Sequence, residues 1–262
     1  MLMAIDVGNT QIVVGLFAAG TGGATGELVY HWRVATHSTY TADEFALQLA
    51  QLLALEGLGL DAVSGTAVAC VVPPLRMALR EVTARRLAGP SVIVEPGVRT
   101  GMPVLVDNPR EVGADRIADA VAAFERYGGP TIVVDFGTAT NFEVVSARGE
   151  YVGGLLFPGL EVSLAALTSR AAMLPRVDIA PPRSVLGKNT VEQLQAGIFH
   201  GYGALVEGVC ARIKAEVGPA TVVATGGLAP VVLGASPVID HYEPWLTLYG
   251  LRTIYDRNRA DD

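Results

Sequence analysis

The feature that most constrains this chain is a short polar motif that occurs twice, each time at the end of an apolar segment. The first copy is DVGNT at 6–10, and the second is DFGTAT at 135–140. An apolar run also follows each copy, so each predicts a strand, a tight turn and a return strand. Asp and Gly are common turn residues, and one copy alone fits an ordinary hairpin. A second copy about half of the 262-residue chain further on predicts two similar halves.

The residue types in this motif suit a nucleotide that carries Mg²⁺. The glycine lets an anion approach the main chain, and backbone N–H groups in such a turn favour negative charge. The carboxylate suits the opposite task, because Mg²⁺ prefers oxygen ligands and keeps several of its waters. Two such turns therefore predict a paired site for phosphate groups and a metal ion.

Composition bounds the class of protein. Half of the 262 residues are hydrophobic and 17% are charged, which is enough apolar material for one large domain or two of ordinary size. The formal net charge of −7 argues against a nucleic-acid-binding surface. The sequence contains neither an apolar stretch of membrane-spanning length nor a basic, then apolar leader, so we expect no membrane association and a cytoplasmic protein. Cys70 and Cys210 stand apart in apolar surroundings, which predicts buried, unreactive thiols.

Local signals predict where the main helices begin. Capping-box signatures at 41–44 and 190–193 make Thr41 and Thr190 the predicted N-caps. Asn108-Pro109 predicts another helix start, with residues 112–118 in the early turns of that helix. Strands alternate with these helices, and the order predicts a mixed α/β sheet in each half.

The helix that Thr190 opens is expected to run to Val217, and it has an unusual composition. Glycine lowers the stability of a helix interior relative to alanine, so several glycines there suggest close packing of another helix or a subunit. The glycines in this segment are Gly197, Gly201, Gly203 and Gly208.

Asp115 and Arg116 are adjacent charges entering an otherwise small, apolar helix. One interpretation is a solvated acid and base on an exposed face. The other is a functional pair, in which Asp115 accepts a proton from a hydroxyl and Arg116 holds a carboxylate through two hydrogen bonds. The small residues Gly113 and Ala114 favour the second interpretation, because they allow close approach of a ligand.

Two further segments leave alternatives open. Residues 187–190 (GKNT) end like a phosphate-binding loop but lack the upstream glycine and the preceding strand, so spacing favours a plain helix cap at Thr190. Residues 225–229 (TGGLA) follow an apolar strand. The Gly-Gly turn there suits either a flat ring or ribose against the backbone or an ordinary strand–helix connection.

In this order and spacing, the motifs resemble those of the acetate kinase, sugar kinase, Hsp70 and actin superfamily, and within it the type III pantothenate kinases. The resemblance spans nearly the whole chain. It is carried by Asp6-Val7-Gly8-Asn9-Thr10, Asn108-Pro109, Gly113-Ala114-Asp115-Arg116, Asp135-Phe136-Gly137-Thr138-Ala139-Thr140, Gly187-Lys188-Asn189-Thr190 and Thr225-Gly226-Gly227-Leu228-Ala229-Pro230.

The resemblance implies a fold and an activity. The fold would be α/β, with duplicated actin-like (ribonuclease H-like) domains at 1–118 and 119–262. Each domain would have a mixed central sheet with flanking helices, and the nucleotide site would lie in the cleft between them. The activity would be ATP-dependent phosphorylation of the primary hydroxyl of pantothenate to 4'-phosphopantothenate, the first step of coenzyme A biosynthesis. The family further implies Mg²⁺, a monovalent cation (K⁺ or NH₄⁺) and a homodimer.

The resemblance also implies nucleotide-binding residues. Asp135 would bind the monovalent cation, Thr138 would contact an ATP phosphate, and Asp6 would lie near Mg²⁺. The ATP phosphates would bind along Asp6, Val7, Gly8, Asn9, Thr10, Gln11, Ile12 and Val13.

For the acceptor, the resemblance makes Asp115 the general base and Arg116 a partner for polar groups of the substrate. Thr190 would touch pantothenate, which replaces the plain-cap interpretation. Residues Gly113, Ala114, Asp115 and Arg116 would line the pocket. One departure is Asn141, where the family often has a second Thr after Thr140, and we expect it to tune the phosphate site.

Two other functions compete with this one. A different small-molecule kinase, or a phosphatase of the same superfamily, would keep the fold and change the substrate, but the Gly113–Arg116 motif argues against it. A non-catalytic accessory factor in gene expression would keep the fold and lose the activity, but every acidic residue of the motifs is present.

Overall fold

The computed structural model describes residues 1–20 and 25–259, and the chain divides into two compact units. Unit 1 comprises Met1–Ala122 with Leu246–Asp262, and unit 2 comprises Ala123–Trp245. The elements in chain order are β1 (Leu2–Val7), β2 (Gln11–Ala19), β3 (Thr25–Ala35), α1 (Ala42–Ala54), β4 (Gly65–Cys70), α2 (Leu75–Arg85), β5 (Ser91–Ile93), α3 (Ala114–Tyr127), β6 (Thr131–Phe136), β7 (Ala139–Val145), β8 (Tyr151–Pro158), α4 (Leu160–Arg170), α5 (Thr190–Val217), β9 (Thr221–Thr225), α6 (Ala229–Leu233), β10 (His241–Tyr242) and α7 (Leu246–Arg259).

Unit 1 is built on a five-stranded mixed sheet of order β3-β2-β1-β4-β5. β1 pairs antiparallel with β2 and parallel with β4, so it is the central strand. Side chains alternate across the sheet, and one face forms an apolar core with α1 and α2 that includes Ile5, Phe45 and Leu79. Thr41 and Glu44 form the predicted capping box at the start of α1, since each side chain accepts a hydrogen bond from the other residue's backbone N–H.

Unit 2 repeats this plan with a sheet of order β10-β9-β6-β7-β8. Its central strand β6 pairs antiparallel with β7 and parallel with β9, as β1 does with β2 and β4. One face of the sheet forms a core with α4, α5 and α6 that includes Phe142, Val206 and Val232. The predicted duplication of a mixed α/β unit is therefore confirmed in strand order and strand direction.

The C-terminal helix α7 belongs to unit 1, whereas the predicted division assigned 119–262 to one domain. α7 packs on the face of the unit 1 sheet opposite α1 and α2, where small residues make room for it. Leu248 lies against Gly15, and Tyr255 lies against Gly65. A boundary drawn from the repeat alone misses this return of the chain, because the contact joins residues more than 180 positions apart.

The segment after Asn108 differs from its prediction. Asn108 caps as expected, accepting a hydrogen bond from Arg110 N–H at 3.3 Å, but it opens only the short 3₁₀ turn Pro109–Glu111. The α-helix begins later, at Ala114. Asp115 therefore lies in the first turn of α3, a position where the helix dipole favours a carboxylate.

The cysteines and the helices bear on two further predictions, buried thiols and no membrane-spanning segment. Cys70 and Cys210 are buried, free thiols, as predicted, and burial raises the pKa of Cys210 to about 11. Within 1–20 and 25–259, the structure has no helix that combines the length and apolar character needed to cross a membrane.

Candidate active site

The first D-x-G turn joins β1 to β2 at the carboxyl edge of the parallel strands β1 and β4. Gly8 N–H donates to Gln11 O at 3.0 Å, which closes the turn. Asp6 is half-buried at the end of β1, while Asn9, Thr10 and Gln11 are exposed. The turn is thus open to a ligand, and ligands commonly bind at this edge of α/β sheets.

Thr36, which the sequence did not single out, fastens this turn from the end of β3. Its hydroxyl donates to Gly8 O at 2.6 Å, and its backbone N–H donates to Thr10 O at 3.0 Å. Both carbonyls are thereby held on the β3 side of the turn. Thr36 is therefore a positioning residue, which acts on any ligand through the turn and not by touching it.

We expect Thr36→Val to weaken the binding of a Mg²⁺–nucleotide probe, ATP, by about five- to thirtyfold, since the loss leaves a carbonyl unsatisfied at a cost of about 1–2 kcal/mol. Thr36→Ser should restore the wild-type affinity. Calorimetric titration with the nucleotide measures both dissociation constants. Thr39→Val makes the same chemical change on an exposed threonine of the same loop, and equal effects of the two substitutions would contradict the positioning role.

The Gly113–Arg116 segment lies at the same edge as the first turn. Val71 links the two, because its N–H donates to Val7 O at 3.1 Å and its Cγ1 lies 3.5 Å from the position of a Cβ built on Gly113. The same built Cβ would collide with Asp115 Oδ1. Gly113 therefore makes room for the Asp115 carboxylate, and the structure brings together two of the predicted groups of site residues.

The electrostatics of this edge agree with its geometry. The carboxylates of Asp6 and Asp115 both act on the Cys70 thiol, whose pKa is raised chiefly by burial and further by these two charges. Burial also raises the pKa of Asp115, against the opposing effects of the Arg116 N–H, which donates to Asp115 Oδ1 at 2.8 Å, and of the Arg116 guanidinium. A carboxylate with a raised pKa is a better proton acceptor than an ordinary one.

The second turn, in unit 2, is one residue shorter than the first. The last strand pair before it is Phe136 with Thr140, whereas the first turn follows the pair Val7 with Ile12. Gly137 N–H donates to Ala139 O at 3.0 Å. The shorter turn changes which side chains share a face, because it sets Asn141 directly opposite Asp135.

Asn141 is consequently a neighbour of Asp135 on one face of the sheet. The side chain of Thr140 lies on the other face, which is the core face. Asn141 is nine-tenths buried, and its Oδ1 is enclosed without a hydrogen-bond partner among the described residues. An oxygen acceptor in that state beside a carboxylate suits a cation. The tuning expected from Asn141 therefore concerns the surroundings of Asp135 more directly than the phosphate turn.

Two further glycines, Gly159 and Gly226, let other elements approach the second turn. A Cβ on Gly159, at the start of α4, would collide with the carbonyls of Gly137 and Thr138. Gly226, after β9, has φ +91° and lies against Asp135 and the backbone of Phe136. Gly137 itself lies beside the Asp135 carboxylate, with 3.4 Å between a built Cβ and Oδ2. The Gly-Gly turn at 226–227 thus belongs to the surroundings of Asp135 and Phe136.

A cavity of about 1090 Å³ adjoins this region within unit 2. Leu228, whose N–H donates to Phe136 O at 3.2 Å, lines one side of it. One face of α4 and the chain at 174–179 line the rest, including Glu161, Ala165 and Arg176. The cavity is large enough for a heterocyclic ring with a sugar.

The start of α5 corrects one prediction. The N-cap is Asn189, whose Oδ1 accepts from Glu192 N–H at 3.0 Å, so the capping box at Thr190 is wrong by one residue. Glu192 completes the cap by accepting from Lys188 N–H at 3.0 Å. Thr190 is exposed in the first turn, and its hydroxyl is not used by the cap.

Three of the four glycines of α5 fall into two groups. Gly203 packs against Ala235, as expected for close approach of another element. Gly197 and Gly201 are exposed, and a Cβ on either would meet nothing within 4 Å. Close packing within the described chain therefore accounts for Gly203 and leaves the other two facing open space.

These features define a class before any particular family. The chain is a duplicated α/β protein with an actin-like fold and a D-x-G turn after the central strand of each sheet. A Streptomyces griseus ROK family glucokinase, solved with glucose and AMPPNP, aligns with a TM-score of 0.53 at 13% identity, covering 98% of this chain and 99% of that one. A Campylobacter jejuni structure assigned to the Baf family of transcriptional activators aligns with a TM-score of 0.60 at 17% identity, covering 98% of each chain. At such identities the likeness shows the fold alone.

Sequence similarity identifies the family within that class. The sequence profile of the type III pantothenate kinases matches residues 2–212. The type III pantothenate kinase of Streptomyces griseus is 54% identical over 268 residues, covering 98% of each chain. The chain belongs to the type III pantothenate kinase family and is a kinase, which confirms the predicted family and the duplicated actin-like fold.

Proposed function

We propose that this chain phosphorylates the primary hydroxyl of pantothenate with ATP, and that Asp115 is the general base. The observation that carries the proposal is the Asp115 carboxylate, desolvated at the start of α3 beside the turn that holds Asp6. Phosphoryl transfer needs a positioned acceptor and neutralised charge more than it needs covalent catalysis. A buried carboxylate that accepts the hydroxyl proton fits that requirement.

The proposal assigns ATP to the two turns. Backbone N–H groups at 8–11, held by Thr36, would bind phosphate oxygens in unit 1. Thr138 and the α4 N-terminus at Gly159 would bind phosphate in unit 2, where the helix dipole favours negative charge. The adenine and ribose would lie against the Gly226-Gly227 turn and the cavity beside Leu228. The contact between the Gly226-Gly227 turn and Asp135 supports this placement of the adenine and ribose.

The residues present fit the two ions that the family implies. Within 1–20 and 25–259 there is no cluster of three or more His, Cys, Asp or Glu side chains able to hold a metal. Asp6 would therefore bind Mg²⁺ together with waters and ATP phosphates, as Mg²⁺ sites in kinases commonly do. Asp135 with the enclosed Asn141 Oδ1 offers oxygen ligands to K⁺ or NH₄⁺. Both cations would offset the negative charge of the phosphates.

The chain's own groups then perform the following steps. Gly113 leaves space beside Asp115 for the acceptor, while Arg116 and Thr190 hold polar groups of pantothenate. Asp115 accepts the proton of the primary hydroxyl as that oxygen attacks the terminal phosphorus of ATP. The bond between the phosphorus and the bridging oxygen breaks, and ADP leaves with the electron pair. The backbone N–H groups of the turns hold the phosphate oxygens throughout.

The test is turnover by the purified chain with ATP, Mg²⁺ and pantothenate, with and without K⁺. We expect ADP release that depends on pantothenate, a product heavier by one phosphate, and stimulation by K⁺ that Asp135→Asn removes. Folded protein that releases no ADP with pantothenate would overturn the proposal. ADP release with another hydroxyl acceptor in its place would keep the kinase and change the substrate.

We also propose that the chain forms a homodimer through unit 2. β8 is an edge strand whose apolar side chains are exposed, with Leu156 at 63%, Leu155 at 36% and Val152 at 36%. Natural proteins seldom leave an apolar edge strand uncovered, since it would pair with other chains. The open glycines of α5 lie in the same unit and would admit close packing of a second subunit. A two-fold axis would place the same surface on both copies.

Leu156→Arg is expected to convert the dimer to a monomer, because it places a charge in the apolar centre of the proposed interface. Light scattering coupled to size exclusion gives the mass directly. Leu47→Arg is the matched control, since Leu47 is 62% exposed on α1 of unit 1. A monomeric wild-type chain, or equal dissociation by both substitutions, would exclude this interface.

A further inference from the structure

Arg76 stands close to the edge that holds Asp6 and Asp115. It is the second residue of α2, which begins a few residues after β4 ends at Cys70. The connection is tight, since Leu75 N–H donates to Val72 O at 3.0 Å and Arg76 N–H donates to Pro73 O at 3.2 Å. Val71, at the start of this connection, is the residue that contacts both the first turn and Gly113.

Arg76 also differs from the other arginines of its helix. Arg80 pairs with Glu95 at 2.5 Å, Arg85 pairs with Glu81, and Arg86, just after α2, pairs with Asp43 at 2.6 Å. Across the ranges 1–20 and 25–259, Arg76 forms neither a hydrogen bond from its guanidinium nor an ion pair. Its side chain is exposed, so the guanidinium is available to a ligand.

The charge of Arg76 acts on the Cys70 thiol at the end of β4. Arg76 lowers the pKa of the buried thiol, against the larger effect of burial, while Asp6 and Asp115 raise it. All three charged groups therefore act on one atom at the end of β4. The positive charge of Arg76 lies at the edge where an anionic substrate would meet two carboxylates, and the first turn itself contains no Lys or Arg.

We propose that the Arg76 guanidinium is a substrate-binding group that holds an anionic oxygen, either on the phosphate chain of ATP or on the carboxylate of pantothenate. A guanidinium presents paired N–H donors that match both groups, and its charge offsets the repulsion from Asp6 and Asp115. The inference deepens the proposed function and rests on it. It assigns to a residue outside the sequence motifs the cationic contact that the first turn lacks.

The test compares Arg76→Gln with Arg80→Gln, which removes the same charge one turn further along α2. Equilibrium affinities for Mg²⁺–ATP and for pantothenate are measured by calorimetry, and KM values are measured alongside. Arg76→Gln is expected to weaken the binding of one ligand about ten- to thirtyfold, the lower part of the range for hydrogen bonds to charged groups. Arg76→Lys should recover part of the loss, and the effect should shrink at high salt.

The outcomes separate the possible answers. Weaker ATP binding with unchanged pantothenate binding assigns Arg76 to a phosphate, and the reverse assigns it to the carboxylate. Unchanged affinity for both ligands, or equal losses in Arg76→Gln and Arg80→Gln, overturns the inference while the proposed function stands. A wild-type chain that binds neither ligand overturns both.

Discussion

Asp115→Asn is expected to lower kcat for pantothenate phosphorylation by about 10²- to 10⁴-fold, the usual contribution of a general base. The amide keeps the size of the side chain and its acceptor oxygen, so the hydrogen bond from Arg116 N–H can remain. What it loses is the ability to accept the hydroxyl proton. KM for ATP should change little, because the phosphates are assigned to other residues. Steady-state kinetics with each substrate varied in turn measures both effects.

The pH profile tests the same assignment without a substitution. The base must be ionised, so kcat/KM for pantothenate falls as pH drops through the pKa of Asp115. Because burial raises that pKa above the ordinary 3.8, the acid limb should lie at higher pH than for an exposed aspartate. Arg116→Gln removes a positive charge that lowers the pKa of Asp115, and it should move the limb higher still.

The stability of the Asp115→Asn variant distinguishes a catalytic role of Asp115 from a structural one. The folded-state pKa of Asp115 is raised, so the native state binds the proton more tightly, and stability falls as pH rises through the window between the unfolded and folded values. At neutral pH the ionised carboxylate therefore costs stability, and Asp115→Asn should leave the urea midpoint unchanged or raise it. Asp107→Asn, at an exposed site, is the matched control for activity. A lower midpoint in Asp115→Asn, or full activity, would contradict the assignment.

The features that local sequence predicts are the turns, most helix boundaries and the duplicated mixed sheet. A strand, Asp-x-Gly and a return strand form a hairpin from neighbouring residues alone, and the capping box at Thr41 and Glu44 is likewise complete within four positions. Asn189 shows the limit of such signals. Asn and Thr are both good N-caps, and adjacent candidates at 189 and 190 are distinguished only by which backbone leaves the helical conformation.

The remaining features depend on contacts between distant segments. Thr36 reaches Gly8 across 28 positions, and α7 returns to the first sheet from the end of the chain. Arg76 resembles its neighbours on α2 in sequence, and only the pairing of those neighbours distinguishes it. The difference of one residue between the turns is also tertiary, because strand register decides that Asn141 faces Asp135.

Gly226→Ala is expected to lower the free energy of unfolding by about 2–5 kcal/mol. Its φ of +91° is strained for any residue with a side chain, at a cost of about 1–2 kcal/mol. The added Cβ would also lie 2.6 Å from Phe136 N and 2.6 Å from Phe136 O, and such overpacking adds about 1–3 kcal/mol. Urea denaturation followed by circular dichroism measures the change. Because the Cβ would displace the Asp135 carboxylate as well, the folded variant should also lose stimulation by K⁺.

Gly218→Ala separates the two causes. Gly218 ends α5 with φ +89°, close to the φ of Gly226, yet a Cβ there meets nothing within 4 Å. It should show the backbone strain alone, about 1–2 kcal/mol, and keep its response to K⁺. Equal losses in the two variants would mean that the contact with Asp135 and Phe136 carries no energy. A Gly226→Ala chain that retains K⁺ stimulation would remove Asp135 from the cation site, because the substitution acts on that carboxylate directly.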